Sequence, residues 1–177
     1  MALLRGINVG GQKPIKMADL QSHFASGGAV NVRTYIQSRN VVFEHREKSA
    51  ATLRKILEQH LAAKLGYAVP TLVRTAEDFA AIAGANPYDT HLPGFGRRMY
   101  VCFFEKAPAA SAIAEIQSLV TDAERLVVKG VAGYAYYTTG LGRAKLTSNV
   151  IERKLGLATL RNWNTVTALL KMSQTRS

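Results

Sequence analysis

A single cysteine, Cys102, stands in 177 residues. One thiol closes no intramolecular disulfide and builds no multi-cysteine metal centre. No apolar run approaches the roughly 20 residues that a membrane-crossing helix needs. Arg5 and Asn8 interrupt the early apolar stretch, so the N-terminus does not read as a secretion signal. The cytoplasm is the expected compartment. Acidic residues are scarce: 12 Asp and Glu face 23 Lys and Arg, for a formal net charge of +11. Several signatures of chemistry are missing as well. Neither GxxxxGK[ST] nor GxGxxG occurs, because Gly6, Gly10 and Gly11 fall at other spacings. There is no GxSxG elbow. His23, His45, His60 and His91 show neither HxxxH nor HExxH spacing. No metal, cofactor or catalytic residue is indicated. Cys102, set among Val101, Phe103 and Phe104, reads as a buried, inert thiol.

What is present is a folding chain. Hydrophobic residues make up 47%, the proportion of a globular protein rather than a disordered one. The positive charge is unevenly spread. Residues 1–88 carry 11 basic and 6 acidic side chains, residues 89–142 carry 5 and 5, and residues 143–177 carry 7 and 1. A concentrated basic segment favours anionic partners such as nucleic acid or a nucleotide, although solvated helix faces also carry such charge.

The patterning predicts strands over 2–9, 30–37, 40–44 and 67–74, with helices over 15–28 and 49–66 between them. In the second of these helices Leu53, Ile56, Leu57 and Leu61 form a stripe, and Gly66 stops it. This β-α-β-β-α-β order is the ferredoxin-like plan. A second round follows about 95 residues later: strand 97–105, helix 107–120, hairpin 124–130 with 133–140, and helix 146–157. A terminal helix over 162–172 is expected where the second round would place its last strand. The reading is an α+β protein of two ferredoxin-like subdomains in tandem with a C-terminal helix. Their expected bounds are 1–75 and 97–177, joined by a connector over 76–96 that holds a short helix at 76–83.

Three places suit a ligand. The Gly10-Gly11 turn with Lys13 and Lys16 leads from a strand into a helix, where it exposes amides to an anion or serves only as a turn. Alternation puts Val30, Val32, Thr34 and Ile36 on one sheet face and Arg33, Tyr35 and Gln37 on the other. The second half repeats the hint, with Arg98, Tyr100, Cys102 and Phe104 on one face and Tyr134 and Tyr136 on a neighbouring strand. Such faces stack bases in RNA-recognition domains, or pack against other parts of the chain. The RNP1 consensus is absent. The third place is the C-terminal cluster. Arg143 and Lys145 precede a helix start rich in capping residues, where Asn149 with Glu152 resembles a capping box. Arg161, Asn162 and Trp163 then add a guanidinium, an amide and an indole. Arginine and indole together suit a phosphate with a stacked base, whereas a capped helix anchored by a core Trp163 explains them equally.

The strings LLRGINVGG (3–11), IKM (15–17), NVRTYIQSRNVVF (31–43), TTGLGRAKLTSNVIERKLG (138–156) and TLRNWNTV (159–166) resemble those of the DUF1697 family, bacterial proteins of unknown function. The resemblance implies the same tandem ferredoxin-like fold and no established activity, substrate or cofactor. Family hairpins commonly read QSGN, where this chain has Gln37-Ser38-Arg39-Asn40. Family members usually carry a few residues ahead of ALLRGIN, so the first strand starts abruptly here. The expected function is a binding module for an anionic ligand, either nucleic acid or a nucleotide. The candidate residues are Arg5, Asn8, Tyr35, Gln37, Arg143, Lys145, Asn149, Arg161, Asn162 and Trp163. The second expectation is an enzyme acting on a small phosphorylated or carboxylated metabolite in a cleft between subdomains. Arg5 and Asn8 enter because polar side chains in an apolar strand need partners when buried. A monomer or homodimer away from membranes is expected.

Overall fold

The computed structural model describes residues 1–7, 15–35 and 39–175. The chain forms two compact units, Met1–Phe79 with Leu169–Ser177, and Ala80–Ala168. Each is an α+β fold around a four-stranded antiparallel sheet.

In the first unit the strands are β1 (Ala2–Leu4), β2 (Val30–Tyr35), β3 (Asn40–Glu44) and β4 (Thr71–Val73), in the order β2-β3-β1-β4. Helices α1 (Met17–Ser26) and α2 (Ala50–Leu65) follow β1 and β3. The cross-connected order is that of the ferredoxin-like plan. Leu20 and Phe24 of α1 and Leu53, Leu57 and Leu61 of α2 bury against Ala2, Leu4, Val41 and Val73. Ser49 caps α2 by accepting the Thr52 amide at 3.2 Å. Gly66 ends it with φ of 76°, a left-handed turn that a side chain resists. Asn31 sits at φ of 53° in a bulge of β2, and its amide donates to Glu44 Oε1 at 3.1 Å. The bulge turns Val30 away from the Val32 face predicted by strict alternation. Val30 pairs with Glu44 and is 56% exposed.

In the second unit the strands are β5 (Met99–Phe104), β6 (Glu124–Lys129), β7 (Ala132–Tyr137) and β8 (Ala158–Asn162), ordered β6-β7-β5-β8. This is the order of the first sheet repeated. The sequence predicts a terminal helix in place of the last strand. Instead, β8 completes the sheet by pairing along β5 from Tyr100–Asn162 to Phe104–Ala158. Helices α5 (Ala110–Gln117) and α6 (Ser148–Leu155) cover one face, with Cys102, Phe104, Ala135 and Tyr137 beneath Ile116, Ile151 and Leu155. Between the repeats lie α3 (Ala76–Gly84) and one turn, α4 (Phe95–Arg98), and α7 (Trp163–Gln174) follows β8.

The second sheet's other face is covered too. The register sets Val101 opposite Tyr134 and Tyr100 opposite Ala135. Tyr134 and Tyr136 therefore lie on the face opposite Tyr100, Cys102 and Phe104, not beside them. Tyr134 donates its hydroxyl to the Ile82 carbonyl at 2.7 Å, and Tyr136 donates to the Pro93 carbonyl at 3.3 Å. Phe95 stacks on Tyr136 with centroids 6.2 Å apart. The predicted aromatic platform is a second core layer.

Candidate functional site

The C-terminal cluster is taken apart by the fold. Arg143, Lys145 and Asn149 are exposed. Thr147, not Asn149, caps α6, its hydroxyl accepting the Val150 amide at 3.3 Å. The loop before the cap already holds an anion from its own chain. Glu124, 4% exposed, accepts the Lys145 amide at 2.5 Å and the Leu146 amide at 3.1 Å through Oε1. Arg161 is 7% exposed and donates from Nη1 to Thr159 Oγ1 at 2.5 Å and the Leu160 carbonyl at 2.9 Å. Asn162 caps the start of α7, its Oδ1 accepting the Thr165 amide at 2.9 Å and hydroxyl at 2.8 Å. Trp163 is half-buried, edge-on to Phe95 at 5.6 Å. Arg161, Asn162 and Trp163 are thus engaged within the fold, while Arg143, Lys145 and Asn149 stand exposed.

Of the N-terminal candidates, Arg5 is half-buried just past β1, and its amide donates to the Pro70 carbonyl at 2.9 Å. Tyr35 is half-buried at the end of β2 opposite Asn40. Asn8, Gln37 and the Gly10-Gly11 turn lie outside the described residues.

The first unit does contain a cleft, of about 780 Å³. β3 and β4 both run antiparallel to β1, and β2 runs antiparallel to β3. At one end of the sheet, therefore, β3 and β4 finish while β1 and β2 begin. The cleft lies there. Arg33, His45, Lys48 and Arg74 bring basic groups to its wall. The first turn of α2 lines it through Ala50 and Leu53, and that of α3 through Ala76 and Glu77. Thr75 Oγ1 accepts the Asp78 amide at 3.0 Å at the start of α3. Helix starts present amide donors and the positive end of the dipole.

Two of the acids in the wall, Glu44 and Glu47, are engaged by hydrogen bonds, while Glu77 acts on the Met1 ammonium, whose charge it favours. Glu44 holds Asn31, and Glu47 Oε1 accepts the Ser49 amide at 2.7 Å at the start of α2. His45 accepts the Glu47 amide through Nδ1 at 2.9 Å and meets the Gly27 carbonyl through Nε2 at 3.3 Å, so its hydrogen sits on Nε2. Arg74 is half-buried, and Nη1 donates to the Val73 carbonyl at 2.8 Å. Burial pulls its guanidinium below the ordinary value, and Asp78 opposes that pull. Arg33 Nη2 donates to the Met172 carbonyl at 2.6 Å, while its buried Nε has no partner among the described residues. Arg33 belongs to the alternating face marked by the sequence. Lys48, Arg74 and the two helix starts carry no motif, and only the β-to-α order places them together.

His60 Nε2 stands 2.9 Å from Ser26 Oγ, near the α1 end that His45 also approaches. Among the described residues no three His, Cys, Asp or Glu side chains form a metal-holding group. Nor is any described helix long and apolar enough to cross a membrane.

No curated protein matches the chain. Among solved structures it is similar to the conserved bacterial protein SP0830 from Streptococcus pneumoniae, at 25% identity and a TM-score of 0.71, over 98% of this chain and 97% of that one. Residues 1–134 match the model of a protein family of unknown function, DUF1697. That match takes in the first repeat, the connector and the start of the second, and the chain belongs to the DUF1697 family.

Proposed function

We propose that the first unit binds a phosphorylated anion of mononucleotide size, with the phosphate on Arg33 and Arg74. The observation that supports this is a cleft of about 780 Å³ lined by both guanidinium groups, Lys48 and the first turns of two helices. Guanidinium forks match the geometry of phosphate oxygens, and helix starts favour negative charge. The volume lies in the range of small-molecule sites, roughly 300–1,000 Å³. A nucleotide is favoured over a nucleic-acid strand, because the tyrosine face that would stack successive bases is buried beneath Ile82, Pro93 and Phe95.

A thermal-shift series with AMP, inorganic phosphate and a short oligonucleotide tests this. AMP at a hundred times its dissociation constant stabilises the fold by about 2.7 kcal/mol, a rise of roughly 5–10 °C. Arg33→Ala and Arg74→Ala each remove the rise, and the Arg143→Ala/Lys145→Ala pair keeps it. A rise that survives both cleft substitutions overturns the proposal, and so does the absence of any rise in both the full chain and a Lys171→Pro variant, whose last helical turn is broken.

A further inference from the structure

The last turn of α7 occupies the place that an anion would take on Arg33. Met172 lies in that turn, where carbonyls run out of helical amides. Its oxygen accepts from Arg33 Nη2 at 2.6 Å. A cation at a helix C-terminus is favourable, so the contact is a good cap. It is also incomplete. Nε and Nη2 form the side edge of the guanidinium, two parallel donors suited to two acceptor oxygens. A carbonyl offers one oxygen, and the buried Nε is left without an acceptor among the described residues. A carboxylate or phosphate offers two oxygens at the spacing of that edge. Ser173 and Thr175 also line the cleft, and their hydroxyls turn back onto the carbonyls of Leu170 and Lys171 at 2.7 and 3.0 Å. The turn satisfies its own polar groups and meets Arg33 through Met172.

We propose that the C-terminal turn of α7 is a latch that competes with a bidentate oxyanion for the side edge of Arg33. Binding the oxyanion releases the Met172 carbonyl and loosens residues 172–175. The latch rests on the proposed anion cleft and deepens it: occupancy of the cleft is coupled to the order of the chain's last turn.

Hydrogen exchange of the full chain, followed by mass spectrometry with and without inorganic phosphate, reads the coupling. Amides of residues 173–175 exchange about tenfold faster with phosphate bound, as expected for loss of one charge-assisted bond. Lys171→Pro ends the helix before the latch and leaves the length unchanged. The side chain replaced is the exposed one of Lys171, and the variant binds phosphate about tenfold more tightly by calorimetry. Phosphate that binds the full chain without faster exchange at 173–175 overturns the latch and leaves the anion cleft standing. Binding to Lys171→Pro alone supports a latch strong enough to shut the site. If neither chain takes phosphate, cleft and latch both fall.

Discussion

The Glu124 carboxylate gathers the Lys145 and Leu146 amides through one oxygen, and Thr121 Oγ1 donates to the other at 3.4 Å. Cutting the side chain back to alanine leaves buried donors without an acceptor, which costs far more than a mean hydrogen bond. Glu124→Ala is therefore expected to lower stability by about 3 kcal/mol in urea unfolding. Glu124→Gln keeps one oxygen and loses about half of that. Equal losses in the two variants would show that the acceptor is unimportant. The sequence presents Arg143 and Lys145 as a cationic helix entrance, and that much is there. It gives no sign that the acid serving the entrance lies 21 residues upstream on an edge strand. Arg161 is a similar case: a basic residue in a basic segment reads as surface, whereas its strand and a covered sheet face bury it.

At the scale of elements, local chemistry is legible and register is not. The stripe on α2, Ser49 ahead of it and Gly66 behind it set that helix within a residue at each end. β8 is hidden because Thr159 and Arg161, on the face that the connector covers, look like loop residues, as does Asn162 at the strand's end. Which tyrosines share a face of the second sheet is hidden for a related reason. A one-residue difference in pairing decides whether Tyr134 joins Tyr100 or Val101, and no residue type records that choice. The start of α6 offers a direct comparison between sequence pattern and structure. Thr147→Ala is expected to cost about 1 kcal/mol, the value of a lost cap, and Asn149→Ala under about 0.5 kcal/mol. Chemical denaturation separates the two, and a larger loss at Asn149 would restore the capping box suggested by the sequence.

For the whole molecule, the first unit's sheet can be foreseen in order and antiparallel sense, because a strand-helix-strand-strand-helix-strand pattern admits few topologies, and the second follows as its repeat except for β8. The cleft cannot be foreseen, since strand ends, helix starts and a distant helix end supply its wall. Alkaline pH gives a global test of the buried layers. Burial pushes the Cys102 thiol up to about 12 and the Tyr88 hydroxyl up to about 12, and raises Tyr100, Tyr134 and Tyr137 as well. Between the ordinary and the raised values the folded chain holds protons that the unfolded chain has released. The stability that these groups contribute is full below about pH 9 and falls above it, by up to about 1.4 kcal/mol per pH unit for each group. Cys102→Ala is expected to delay the onset to about pH 10, where the tyrosines begin. An unchanged onset in urea melts would mean that the thiol is not held protonated.

The first unit also takes Leu169–Ser177 from beyond the second. On the ribosome, residues 1–79 emerge early, but the carbonyl that caps Arg33 is made only after the entire second unit. A nascent chain halted between the units would lack that acceptor for Arg33 Nη2. Completion of synthesis would then be the event that supplies it.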